Sequence, residues 1–174
     1  GKYIAKVFAG EKTIFDFFVP IENLFFRIAG IDPKQGMNWK ESLRALLVIN
    51  AIWFIWAILV LCTQGSIPFW NPDSIPSMEP TQAFNTAISF MTNTNLQHYS
   101  GETGASYFSQ LLVFCFLQFV SAGTGIAALA ALFRALSAKS GNNLGNFYHD
   151  MVRSCTRILL PISVVVAIIL LFSG

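Results

Sequence analysis

Two long apolar runs constrain the fold of this chain more than any other feature. Residues 43–62 carry Arg44 as their only charge, and residues 107–133 carry none. About twenty predominantly apolar residues are enough for one helix to cross the hydrocarbon core of a bilayer. Charged residues are 11% of the chain, whereas they make up roughly a quarter of a soluble domain. The sequence therefore predicts an all-α membrane protein with membrane-spanning helices over 43–62 and 107–133.

A third apolar run begins at residue 158 and continues almost to the last residue. At ~1.5 Å per helical residue, fifteen residues reach only about 22 Å of a core that is ~30 Å thick. We therefore expect residues 158–174 to be the start of a third, truncated transmembrane helix. On the same ground we expect the chain to be the front piece of a longer protein.

The distribution of lysine and arginine predicts how the chain lies across the membrane. Residues 65–105 contain neither of them, whereas both ends of the chain are basic. Because cytoplasmic loops carry an excess of Lys and Arg, we expect the 65–105 loop outside and residues 1–41 and 137–157 in the cytoplasm. Residues 1–41 are expected to be cytoplasmic or interfacial, since Pro20 interrupts their apolar stretch. Their basic residues are too dispersed to favour binding to nucleic acid.

An uncharged polar hexapeptide, TNTNLQ at residues 92–97, lies between the two predicted spans. The mildly apolar residues 80–91 before it make ~18 Å of helix, too short to cross. Irregular backbone at membrane depth is tolerated when it is buried in protein or lines a wet cavity. Residues 42–136 are therefore predicted to form one unit of helix (43–62), re-entrant pore helix (80–91), selectivity loop (92–97) and helix (107–133), as in potassium channels.

The hexapeptide has the chemistry of a site for a monovalent cation. Carbonyl and hydroxyl oxygens can replace the water shell of such an ion, and the carbonyl end of the short helix before them favours positive charge. Our candidate ligands are the main-chain carbonyls of Asn93, Thr94 and Asn95, with Thr92 as a possible addition. Gln97 is assigned to the mouth of the site or to bracing it. The residues leave an alternative open, in which the loop is an ordinary surface loop of a two-helix membrane scaffold.

The other chemistry-bearing residues predict no second site. His98 and His149 are expected on opposite sides of the membrane, the three cysteines have no metal-site spacing, and no phosphate-cradling GxxxxGK[ST] motif occurs. Small residues recur every four positions in the second span, which favours either close helix packing or a hinge; they are Gly123, Ala127, Ala131 and Ala135.

The segment FNTAISFMTNTNLQHYSGE at residues 84–102 resembles the first pore loop of the potassium-transporting ATPase A subunit (KdpA) family. MNWK at 37–40, SAGTGIA at 121–127 and LGN at 144–146 fit the same family. The resemblance covers roughly residues 20–174, and TNTN followed by QHYSGE is its most specific part.

The resemblance implies a potassium-binding and translocating subunit of the bacterial inner membrane. In that family the A subunit strings four helix–pore loop–helix units on one chain, so this chain would hold the first unit and a quarter of the filter. It would bind extracellular potassium and pass it to a P-type ATPase catalytic subunit, with small companion membrane subunits completing the complex. ATP hydrolysis would occur on the partner, and K⁺ would be the transported ion rather than a cofactor. Self-assembly of four copies into one channel is a further possibility.

Overall fold

The computed structural model describes residues 1–137 and 143–173, and within these ranges it contains helices and turns but no strand. The predicted all-α fold is thereby confirmed. Single turns of 3₁₀ helix occur at Asp16–Phe18 and Gln64–Ser66. The helices, in chain order, are α1 (Lys2–Ala9), α2 (Val19–Ala29), α3 (Trp39–Thr63), α4 (Pro80–Met91), α5 (Gly101–Gly104), α6 (Tyr107–Ser137) and α7 (Phe147–Ser173).

In the described part of the chain, three helical stretches are long and apolar enough to cross a membrane. They are Trp39–Ser66, Tyr107–Ser137 and Phe147–Ser173. The second and third each contain one wider π-helical turn, at Gln110–Cys115 and Ser154–Leu159. The chain divides into two compact units, one of residues 47–122 and one of residues 1–46 with the described part of 123–174.

In the unit of residues 47–122, the short helix α4 packs against the apolar residues of α3 and α6. Ala57, Ala83 and Ala87 are fully buried, and side chains this small let helices approach closely. The ring of Phe90 stacks on that of Phe114 with centroids 4.5 Å apart. The cluster also contains Val60, Leu61, Met78, Ala105, Val113 and Leu117.

Gln64 joins the outer segments of the same unit through both ends of its buried side-chain amide. Its Nε2 donates to the carbonyls of Pro76 and Gly104 at 2.9 and 3.0 Å. Its Oε1 accepts from the N–H of Ser106 at 3.1 Å and from the hydroxyl of Ser109 at 2.7 Å. The end of α3, the loop before α4 and the start of α6 are thus fixed by one side chain.

In the other unit the structure corrects the predicted loop over 137–157, because α7 already begins at Phe147. Asn146 caps this helix by accepting the N–H of His149 at 3.1 Å. The charged residues that suggested a loop are neutralised by partners: Asp150 pairs with Arg134, and Arg157 pairs with Glu22. Residues 138–142 of the predicted loop lie outside the described residues, as does Gly174 of the predicted third span.

The N-terminal segment of this unit is held to α7 by an ion pair and by hydrogen bonds. Nη1 of Arg157 donates to Oδ1 of Asp16 at 2.7 Å, and Tyr3 donates its hydroxyl to the carbonyl of Arg157, also at 2.7 Å. Arg134 donates to Asp150 and to the carbonyls of Leu144 and Phe8. The basic and acidic groups near the chain ends therefore serve the packing of this unit.

Candidate functional site

Helix α4 begins after a capping residue, Glu79, and ends directly before the hexapeptide. The Glu79 carboxylate accepts from the N–H groups of Thr81 and Gln82 at 2.9 and 3.1 Å, and Pro80 occupies the first turn. Hydrogen bonds from the Thr81 hydroxyl and from these N–H groups hold the pKa of Glu79 below its usual value. A carboxylate at this end is favourable to the helix dipole. The opposite, carbonyl end of α4 therefore lies at the hexapeptide.

The N–H groups that follow α4 turn back onto the last turn of the helix. Those of Thr92, Asn93, Thr94 and Asn95 donate to helix carbonyls at 2.8 to 3.3 Å, and Thr94 and Asn95 share the carbonyl of Ser89. The N–H of Leu96 donates to the Ser89 hydroxyl at 2.7 Å. The loop thus satisfies three of the four carbonyls that a helix leaves free at its C-terminus, those of Ile88, Ser89 and Phe90.

This arrangement leaves the loop carbonyls facing away from α4. In a trans peptide the C=O of one residue points opposite to the N–H of the next. Because the N–H groups of residues 93–96 all point at α4, the carbonyls of residues 92–95 point to the other side. They accept no hydrogen bond from any part of the chain that the structure describes. Four successive carbonyl oxygens are therefore available to a ligand.

Asparagine at two positions permits this path of the main chain. The φ angles of Asn93 and Asn95 are +58° and +55°, a left-handed conformation that asparagine tolerates better than most residues. Thr92 between helix and loop has φ −88°. The side chains pair two residues apart: the hydroxyls of Thr92 and Thr94 are 2.8 Å apart, and Nδ2 of Asn95 donates to Oδ1 of Asn93 at 3.1 Å.

The chain leaves the loop through Gln97, which is exposed, and Tyr99, which is half-buried against Phe114. The Tyr99 hydroxyl is buried with no hydrogen-bond partner among the described residues. Burial raises the pKa of Tyr99 to about 12, and the nearby Gln97 amide acts in the opposite direction. Packing of its ring, rather than its hydroxyl, thus anchors the returning segment.

Comparison with known protein families identifies the family of this chain. A family model described as the potassium-transporting ATPase A subunit matches residues 1–174. The chain belongs to this A subunit family. The structure brings the predicted residues Thr92, Asn93, Thr94 and Asn95 of this family member into one exposed loop, and Gln97 follows one residue beyond Leu96.

Curated relatives of this A subunit chain are named potassium-transporting ATPase potassium-binding subunit. The chain is 57% identical over 175 residues to that of Flavobacterium psychrophilum, 53% over 174 residues to that of Bacteroides thetaiotaomicron and 50% over 175 residues to that of Gloeobacter violaceus. Each match covers the whole of this chain and 30% of the relative's length. The shared name of these relatives describes a potassium-binding subunit.

The sequence of this A subunit chain did not lead us to two residues that shape the site. Ser89 reaches forward to Leu96, and Gln64 fixes the segments on both sides of the loop. The sequence signal for Ser89 is its polar side chain on the otherwise apolar face of α4. A hydroxyl in such a place commonly bonds to nearby main chain. Over residues 1–137 and 143–173, no group of three His, Cys, Asp or Glu side chains could hold a metal ion.

Proposed function

We propose that this chain is the potassium-binding part of an ATP-driven potassium uptake complex. One observation carries the proposal: the carbonyls of residues 92–95 point away from α4 and are free, while the adjoining N–H groups are all used. A surface of carbonyl dipoles without N–H groups attracts a cation. Its lack of formal charge favours a monovalent ion, whereas divalent calcium is usually bound by carboxylates.

Residues Asn93, Thr94 and Asn95 are the proposed carbonyl ligands, with Thr92 as a further one and Gln97 at the mouth. The loop as a whole supplies about a quarter of a complete filter. The remaining oxygens come from other parts of the full-length subunit, consistent with the larger size of the relatives.

The position of α4 supports a re-entrant loop. Its buried Ala83 and Ala87 belong to the same cluster as Leu61, late in α3, and Val113, early in α6. These neighbours lie within the stretches that can cross a membrane. The short helix therefore packs beside the spans over part of their length, as a re-entrant pore helix would.

The direction of transport and the partners complete the proposal. With the 65–105 loop outside and residues 1–41 and 137–157 in the cytoplasm, the loop takes potassium from the exterior of a bacterial inner membrane. The ion then passes to a P-type ATPase catalytic subunit, on which ATP is hydrolysed, with small companion membrane subunits in the complex. The relatives' names, which combine potassium binding with a transporting ATPase, support this assignment.

Uptake measurements on the full-length subunit test the function. Thr94→Ala and Gln97→Ala are introduced into the complex in cells that lack other potassium uptake, with Asn85→Ala, an exposed position on α4, as the matched control. We expect the KM for potassium to rise about tenfold in the first two variants, equivalent to ~1.4 kcal/mol of lost binding, and to stay unchanged in the control. Wild-type uptake at micromolar potassium by both variants contradicts the proposal.

A depth measurement separates the transporter from the scaffold alternative. Asn95→Cys is placed in a subunit whose native cysteines have been replaced, including the exposed Cys115. A re-entrant loop allows only small thiol reagents to react, only from outside, and potassium slows the reaction. Free reaction with bulky reagents favours a loop on the outer surface and the scaffold.

A further inference from the structure

We propose that Ser89 is a positioning residue that fixes where the row of free carbonyls ends and thereby sets the affinity and selectivity for potassium. The inference rests on the proposed function and assigns a role to a residue outside the loop. Ser89 lies in α4, three residues before Thr92, and is 8% exposed. It contacts the loop through both its side chain and its main chain.

The hydroxyl of Ser89 holds both polar groups of a single residue. It accepts from the N–H of Leu96 at 2.7 Å and donates to the carbonyl of Leu96 at 3.1 Å. The carbonyl of Ser89 accepts from Thr94 and Asn95 at 2.8 and 3.2 Å. The same carbonyl also accepts from the Thr92 hydroxyl at 3.5 Å, so one helical residue makes five hydrogen bonds to the loop.

These contacts give the loop a defined end. The Leu96 carbonyl is turned towards α4 and is occupied, so it is withdrawn from the side on which the carbonyls of residues 92–95 lie. The bond to the Leu96 N–H also fixes the peptide plane that carries the Asn95 carbonyl, since the two groups belong to one rigid peptide. Ser89 thus orients the carbonyl of Asn95, which is the last free one. It also prevents the carbonyl of Leu96 from acting as a ligand.

Removal of the hydroxyl has a predictable effect on the loop. Ser89→Ala leaves the N–H and the carbonyl of Leu96 without their partner, and the Asn95–Leu96 peptide becomes free to rotate. The helix itself keeps its main-chain bonds, because the Ser89 carbonyl remains. The loss is therefore expected in ion binding rather than in assembly of the helices.

Thr86 provides a matched control on the same helix. It lies three residues earlier, is 1% exposed, and its hydroxyl has no hydrogen-bond partner in the ranges that the structure describes. Thr86→Val removes a hydroxyl that is buried on the same helix as that of Ser89, but it breaks no hydrogen bond to the loop. Ser89→Thr retains the hydroxyl and tests rescue.

The experiment measures potassium uptake, rubidium competition and thermal stability of the full-length subunit in its complex. Loss of the Leu96 bonds in Ser89→Ala is expected to raise the potassium KM about three- to tenfold, with Vmax nearly unchanged. Discrimination against rubidium falls in the same variant. Ser89→Thr recovers most of both properties, and Thr86→Val resembles wild type.

Two results overturn the assignment of Ser89 while the proposed function stands. One is a wild-type KM and selectivity in Ser89→Ala when Thr94→Ala or Gln97→Ala raises the KM. The other is a fall in stability or Vmax alone, as for a merely structural residue. If none of the loop variants alters potassium uptake, the proposed function fails and the role of Ser89 fails with it. Should Ser89→Ala not assemble, Ser89→Cys, which keeps the size but weakens both bonds, gives the same comparison.

Discussion

Arg157 and Glu22 form a two-point ion pair across 135 residues of sequence, with Nε and Nη2 of the guanidinium each 2.8 Å from a carboxylate oxygen. The two residues are only 1% and 3% exposed. Parallel bonds of this kind fix geometry as well as charge. The pair therefore determines how α2 and α7 pack within their unit.

Breaking this pair should destabilise the unit strongly. Arg157→Leu leaves the Glu22 carboxylate buried with Arg153 at 4.0 Å as its remaining charged neighbour. Removing one partner of a buried pair costs about 3–5 kcal/mol, which thermal unfolding of the full-length protein in detergent measures. Arg27→Ala, exposed on the same helix α2, should have no effect. A double change of Glu22 and Arg157 to Leu should recover part of the loss, and equal damage in single and double variants would contradict coupling.

The same pair predicts a dependence of stability on pH. Burial acts to raise the pKa of Glu22, but hydrogen bonds from Arg157 and Thr156 and the nearby guanidinium charges outweigh it, so the pKa is lowered from 4.5. A carboxyl with a lowered folded pKa contributes stability above its unfolded pKa and loses it as the pH falls through the folded value. Melting temperatures of wild type and Glu22→Gln should therefore differ by a constant amount above about pH 5.5 and converge on acidification below about pH 4.5. A difference that stays constant down to pH 3 contradicts the assignment.

Gly123 and Gly125 in α6 should respond oppositely to alanine. A Cβ at Gly123 would collide with the sulfur of Cys155, whereas a Cβ at Gly125 meets open space. We expect Gly123→Ala to cost about 1–3 kcal/mol of stability and Gly125→Ala to be neutral or to stabilise by about 0.5–1 kcal/mol. Adding Cys155→Ala should rescue Gly123→Ala. Rescue supports close packing as the reason for this glycine, and its failure favours a hinge.

We expect the protein to be destabilised when the amide of Gln64 is replaced by a carboxylate or by an apolar side chain. Gln64→Glu places carboxylate oxygens against the carbonyls of Pro76 and Gly104. Gln64→Leu removes the partner of these two carbonyls and of two buried groups, the N–H of Ser106 and the hydroxyl of Ser109. Since orphaned buried groups cost about 1–3 kcal/mol each, thermal unfolding should show either variant to be markedly destabilised. Asn85→Ala serves as the control here too, and a stable Gln64→Leu protein contradicts the role of this amide.

The left-handed conformation of Asn95 gives a further prediction. Gly is unstrained at φ +55°, whereas a β-branched side chain there costs roughly 1–2 kcal/mol. We expect Asn95→Gly to keep wild-type stability and potassium affinity, and Asn95→Val to lose both. Equal affinity in the two variants indicates that the left-handed backbone at this position does not matter for binding.

The sequence predicts the elements whose signals are local. Apolar length predicts the spans, and the mildly apolar residues 80–91 followed by TNTNLQ predict a short helix that ends at a polar loop. The direction of the loop carbonyls depends on two asparagines with positive φ, which no periodicity reveals. The sequence therefore predicts the loop and its main-chain carbonyls as candidate ligands, but not the direction in which the folded chain turns them.

Contacts between distant residues explain what the sequence did not predict. Asp150, Arg153 and Arg157 resemble a solvated loop when read alone, because their neutralising partners Glu22 and Arg134 lie elsewhere in the chain. The start of α7 was consequently placed too late. The roles of Gln64 and Ser89 likewise depend on carbonyls and N–H groups that come close to these side chains only in the folded chain.

The seven-residue separation of Ser89 and Leu96 also bears on the order of folding. Contacts that close short loops form quickly, whereas those that join remote segments wait for the intervening chain. We expect the turn of residues 92–96 to take shape soon after α4 has been made during synthesis. The ion pair between Glu22 and Arg157 can form only later, once α7 has been made.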